Sequence, residues 1–73
     1  MHEDKKFLQI IGNNLRKIRI DKTISQQELA DNSNIAKSTV QRIENGTLNP
    51  TILMLKNISE ALGTSVEDLI RIK

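Results

Sequence analysis

Lys37, Ser38, Gln41 and Arg42 are spaced so that Lys37 pairs with Gln41, and Ser38 with Arg42, at i and i+4. On a helix each such pair stands on one face, one turn apart. That face carries two cations, a hydroxyl and a carboxamide. Lysine and arginine suit the O6/N7 edge of guanine, arginine with two bonds, and hydroxyls are tolerant partners. This is the chemistry of recognition. Catalysis has little to draw on: the chain has no cysteine, its single histidine is His2 in a terminus expected to be disordered, and no glycine-rich phosphate loop or Ser/His/Asp constellation is present. Glu28, Asp31 and Glu44 are accounted for by capping, solvation and pairing. Met1 and Met54 suggest no metal site. The expectation is a protein that is not an enzyme, with no cofactor, no metal and no small-molecule ligand.

The elements that must hold that face read as all-α. Glycine and proline are scarce, and no segment alternates with period two for long. A first helix is expected over about 4–21, with Phe7, Ile11, Leu15 and Ile18 on one face. Gly12 inside it suggests a close approach by another helix. Ser25-Gln26-Gln27-Glu28 has the pattern of a capping box and starts a short second helix, with Ile24 and Leu29 at the staple positions. A turn of about three residues, Ser33-Asn34-Ile35, leads to a third helix from Ala36 or Lys37 to Asn45. Its inward residues are Val40 and Ile43, and Gly46 supplies its left-handed end. A fourth helix follows Asn49-Pro50, capped by Thr51, with Ile52, Leu55, Ile58 and Leu62 as its buried stripe and Gly63 as its stop. Ser65-Val66-Glu67-Asp68 resembles a second box and starts a fifth helix, expected to run to the C-terminus with Val66 and Leu69 inward.

At 73 residues there is room for one domain, and one this small has a thin stability margin. Residues 1–5 are expected to be a disordered tail. The net charge is only +2, and it is unevenly placed: residues 1–22 hold six bases against three acids, 23–46 two against three, and 47–73 three against three. No basic block looks like a disordered nucleic-acid arm, so DNA binding would rest on placed contacts. The longest apolar run is Ile52-Leu53-Met54-Leu55, far short of the roughly 20 residues that span a bilayer. With acids in the first residues and no apolar stretch after them, no secretory signal is expected. The absence of cysteine suits a reducing compartment, and the location expected is cytoplasmic.

Two short helices joined by a tight turn cross at roughly 90–120° and leave the second standing proud, sized for the major groove of double-stranded DNA. The residues that build this unit carry a resemblance. Ser25-Gln26-Gln27-Glu28-Leu29-Ala30, then Asn34 through Gly46, then Asn49-Pro50 and Glu60-Ala61-Leu62-Gly63, resemble the Cro/phage-repressor (Xre-like) helix-turn-helix family. The resemblance spans about Leu8 to Ile70. It implies a five-helix, lambda-repressor-like domain with the helix-turn-helix over about 25–45. It implies that Gln26 grips a phosphate, aided by the positive end of its helix, and that Gln27 reaches a phosphate or a base edge. Lys37, Ser38 and Thr39 fall where relatives touch bases, with Gln41 and Arg42 further along. Asn45 and Thr47 match backbone-holding positions, which fix register and carry no direct sequence information. Arg19 and Glu44 match a structural pair tying the first helix to the end of the third. Ala36 departs from the pattern: relatives carry a hydroxyl or asparagine there, and alanine forfeits about 1 kcal/mol of capping.

Each assignment has a plainer structural reading. The plainer reading makes Gln26, Gln27, Lys37 and Arg42 solvated helix residues, Ser38 and Thr39 first-turn residues, and Thr47 a loop former. Leu53, Met54, Ile70 and Ile72 are apolar beyond what a core needs; with Val66 they form a candidate homodimer face on the last two helices. Such a dimer would set two recognition helices about 34 Å apart and call for a palindromic operator. The leading expectation is a dimeric transcription regulator, a phage-type repressor or a controller of a restriction–modification system. The alternative is a protein-interaction module, antitoxin or bridging factor, that uses the fold with little DNA binding.

Overall fold

Asp4 opens the first helix by accepting the amide of Phe7 at 3.0 Å. The computed structural model describes residues 4–72, and among these the secondary structure is helical throughout: α1 (Lys5–Asp21), α2 (Gln26–Ser33), α3 (Lys37–Glu44), α4 (Ile52–Leu62) and α5 (Val66–Ile70). Asp4 caps α1 and Lys5 begins it, in line with the helix expected over about 4–21, although both also fall within the 1–5 segment read as a tail. Met1, His2 and Glu3 lie outside the described residues. No helix among the described residues is long and apolar enough to cross a membrane.

Local chemistry sets the helix ends. Ser25 takes the amide of Glu28 on its hydroxyl at 3.0 Å, and the Glu28 carboxylate takes the amide of Ser25 at 3.1 Å. Each satisfies an amide that has no partner inside the helix. Thr51 caps α4 through the amide of Met54, and Ser65 caps α5 through the amide of Asp68. Ala36 has no side-chain bond to give at the start of α3. Gly46 and Gly63 are left-handed, as the helix stops require. The turn between α2 and α3 uses Asn34 in the left-handed region, φ 58°, while the amide of Ile35 returns to Ala30 O at 3.0 Å. Asparagine tolerates that conformation through its short polar side chain.

The core is one cluster: Ile11, Leu15, Leu29, Ala30, Val40, Ile43, Leu55, Ile58, Leu62 and Leu69. Burying a leucine or isoleucine fully contributes about 1.5–3 kcal/mol. α1 packs on α3 and α5, and α2 packs on α3 and α4. Three expectations need correcting. Ile52 is 77% exposed, because it is the first residue of α4 and overhangs the edge of the core. Leu8 is buried on α1, while Phe7 and Ile18 are half-buried at the rim of the cluster. α5 stops at Ile70, where Arg71 turns extended; the Asn14 carboxamide donates to both Leu69 O and Arg71 O, at 3.0 and 2.9 Å, and terminates the helix from α1.

Candidate nucleic-acid interface

Gly12 explains how α3 is seated. A Cβ there would lie 2.6 Å from Glu44 O and 2.9 Å from Glu44 C, so the backbone of α1 runs directly against the last turn of α3. Only glycine leaves room for two backbones to approach this closely. On the same side of α3, Val40, Ile43 and Glu44 are buried. The opposite side is open: Lys37, Ser38, Gln41 and Arg42 are exposed and Thr39 is half-buried. The structure therefore brings the two cations, the hydroxyl and the carboxamide onto one free face of an eight-residue helix. Val40 and Ile43 seat the other side of that helix in the core.

Beneath the face lies a buried charge network. Arg19 Nε donates to Glu44 Oε2 at 2.6 Å and Arg19 Nη2 to Glu44 Oε1 at 3.1 Å, a two-pronged pairing. The side chains are 12% and 3% exposed. Arg19 Nη1 donates to Ile24 O at 2.8 Å. This links α1, the α1–α2 connection and the end of α3 through one guanidinium, whose planar fork fits a carboxylate. Gln26 joins the network, donating from Nε2 to Glu44 Oε1 at 3.0 Å. The sequence alone carried no signal for that bond, since 18 residues separate the partners.

The other assigned residues fall around the same edge. Gln27 is exposed at the start of α2 and donates to Asp31 Oδ1 at 2.9 Å, which leaves a second N–H unused. Asn45 is exposed at the C-cap of α3. Thr47 is exposed as well, yet its hydroxyl and its amide both donate to Arg42 O, at 3.2 and 3.0 Å. It has no donor left for a phosphate unless the hydroxyl bond opens. Elsewhere, Leu53 is 64%, Ile70 36% and Ile72 67% exposed, while Met54 and Val66 are half-buried against the core. Ile52 adds to the exposed apolar surface beside Leu53.

Among the described residues no group of histidine, cysteine and carboxylates is arranged to hold a metal. A groove of about 340 Å³ between α1 and α5 mixes Lys17, Lys22 and Arg71 with Asp21 and Asp68. Asp68 is held below its ordinary value of 3.8 chiefly by the hydroxyl of Thr64, then by the amide and hydroxyl of Ser65. These bonds serve the cap of α5.

Comparison with known proteins agrees with this geometry. The sequence model described as Helix-turn-helix (HTH_3) matches residues 15–69. Control protein C.BamHI of Bacillus amyloliquefaciens is 34% identical over 62 residues, covering 84% of this chain and 76% of the relative. Control protein C.MunI of Mycoplasma sp is 36% identical over 59 residues, covering 80% of each. The crystal structure of the restriction–modification controller protein C.AhdI from Aeromonas hydrophila is similar with a TM-score of 0.83 at 31% identity, covering 85% of this chain and 94% of that one. With α2 and α3 forming the motif inside the matched segment, the chain belongs to the HTH_3 helix-turn-helix family of transcriptional regulators, which is not a family of enzymes.

Proposed function

We propose that this protein is a cytoplasmic regulator that binds double-stranded DNA as a homodimer, with α3 in the major groove of each half of a palindromic operator. The observation that carries this reading is the free face of α3. Lys37, Ser38, Gln41 and Arg42 stand outward on a helix whose other side is locked into the core. Base edges would be read there, with Arg42 as the bidentate reader of a guanine. Gln26 and Gln27 at the start of α2, and Asn45 after α3, would hold the phosphate backbone, joined by Thr47 only where its hydroxyl leaves Arg42 O. The exposed Leu53, Ile70 and Ile72, with Ile52, Met54 and Val66 beside them in sequence, would form the two-fold contact. Among such regulators, the restriction–modification controller is the role favoured, because C.BamHI, C.MunI and C.AhdI match over most of this chain.

The test is a binding selection on random duplex DNA with sequencing, run beside sedimentation of the free protein. A palindromic motif with half-sites about one helical turn apart is expected. Affinity should fall steeply between about 50 and 200 mM salt. Arg42→Ala should weaken the preferred site by about 1–3 kcal/mol and relax preference at one base pair. Equal losses on preferred and random DNA would remove Arg42 as a base reader. No enrichment at low salt would overturn the DNA-binding reading in favour of a protein-interaction module.

A further inference from the structure

We infer that Glu44 is a positioning residue for the DNA backbone, one that acts through Gln26. By accepting one N–H of the Gln26 carboxamide, it turns the second N–H outward for a phosphate oxygen. This rests on the DNA-binding reading above and adds a role for a residue otherwise explained by its pairing with Arg19.

A carboxylate only accepts hydrogen bonds, so the nitrogen of Gln26, and never its oxygen, must face Glu44. The Glu44 carboxylate cannot turn away. Both its oxygens are held by Arg19, at 2.6 and 3.1 Å, and Arg19 is fixed in turn to Ile24 O at 2.8 Å. The Glu44 side chain is 3% exposed, so water does not compete for it. Gln26 donates to it at 3.0 Å from a half-buried position. A free glutamine side chain samples many rotamers and can present either end of its amide. Here the rotamer and the end are both chosen before DNA arrives, which lowers the ordering cost of binding.

The surroundings of the second N–H suit an anion. Gln26 is the first residue of α2. The amide of Glu28 is spent on the Ser25 hydroxyl and that of Leu29 on Ser25 O. The amides of Gln26 and Gln27 have no partner inside the helix, as at any helix start. An amide flipped to show its oxygen would set a lone pair toward the phosphate and repel it. Glu44 forbids that flip. The same carboxylate that secures α3 to α1 thus also sets the register of α2 on the DNA strand.

Two experiments test this on the full chain. The first follows the Gln26 side-chain amide by NMR in unmodified, ¹⁵N-labelled protein, titrated with a random-sequence duplex at low salt. In free protein one Nε2 proton should be protected from solvent exchange. On adding duplex it should stay protected while the second proton shifts. Loss of the protected proton on binding, or no protection in the free protein, overturns the inference. The second is a cycle of Gln26→Ala, Glu44→Asp and the double variant, read as affinity for the same duplex. Aspartate keeps the charge opposite Arg19 but shortens the reach to Gln26. Each single variant should bind about three- to tenfold more weakly, as for the loss of one hydrogen bond. The double variant should bind no more weakly than Gln26→Ala. An equal Glu44→Asp penalty in both backgrounds assigns Glu44 to the fold alone and overturns the inference. Duplex binding by the unmodified protein with an additive cycle would leave the DNA-binding reading standing; no duplex binding at all would overturn both.

Discussion

Gly12→Ala adds one methyl group where two backbones meet. The new Cβ would sit 2.6 Å from Glu44 O and 2.9 Å from Glu44 C, against the 3.4 Å or more of ordinary contact. Neither neighbour is a flexible side-chain end, so relief requires α1 and α3 to separate by most of an ångström. That movement also pulls at Glu44, whose carboxylate is held by Arg19 from the same helix as Gly12. Overpacking of this kind costs up to about 3 kcal/mol. Alanine returns about 1 kcal/mol through better helix propensity. The net expectation is a loss of about 2 kcal/mol, from a total of roughly 4–11 kcal/mol for a chain of this length. In a domain this small each kcal/mol moves Tm by about 4–8 °C, so thermal unfolding followed by circular dichroism should shift down by about 8–16 °C. Asn13→Ala, at the exposed neighbouring position, is the control and should leave Tm unchanged or raised. A Gly12→Ala protein as stable as its parent would refute the close approach, and with it the account of how α3 is held.

Glu44→Gln leaves Arg19 buried without its charge partner and should cost about 3–5 kcal/mol in urea unfolding, whereas Arg19→Met with Glu44→Leu should recover much of that loss. Asp68 has its pKa lowered by the Thr64 hydroxyl and the Ser65 cap, so its contribution to stability is present above the ordinary value of 3.8 and lost as pH falls through the lower folded value. Asp68→Asn should therefore flatten the stability profile below about pH 4, and an unchanged profile would refute the assignment. Asn14→Ala removes both bonds to the end of α5 and, on the proposed dimer, should weaken self-association more than it lowers Tm, because Ile70 and Ile72 lie on the segment it holds. Sedimentation equilibrium compared with thermal unfolding separates the two effects.

Much of the fold was legible because its signals are local. Ser25 with Glu28, Thr51 with the amide of Met54, and Ser65 with Asp68 are all partners three residues apart, and Gly46 and Gly63 stop helices by their own backbone freedom. Such features follow from neighbours in the chain. The apolar period gave most of the core for the same reason. It misplaced Ile52 and passed over Leu8, because periodicity names a stripe and says nothing of where along the helix the covering layer ends. The extent of α5 was likewise out of reach, since Asn14, 55 residues before Leu69, terminates it.

The candidate interface divides along the same line. That α3 would carry Lys37, Ser38, Gln41 and Arg42 together was determined by the sequence, because i and i+4 share a face on any helix. That this face would turn outward followed from Val40 and Ile43 on the other side; how closely that other side is held was decided only when Gly12 let α1 press against it. The Gln26–Glu44 bond and the loss of Thr47's free donor to Arg42 O belong wholly to the tertiary structure. A hydrogen-bonding group is committed by whichever partner reaches it in three dimensions, and across 18 residues of chain only the packing of helices settles which partner that is.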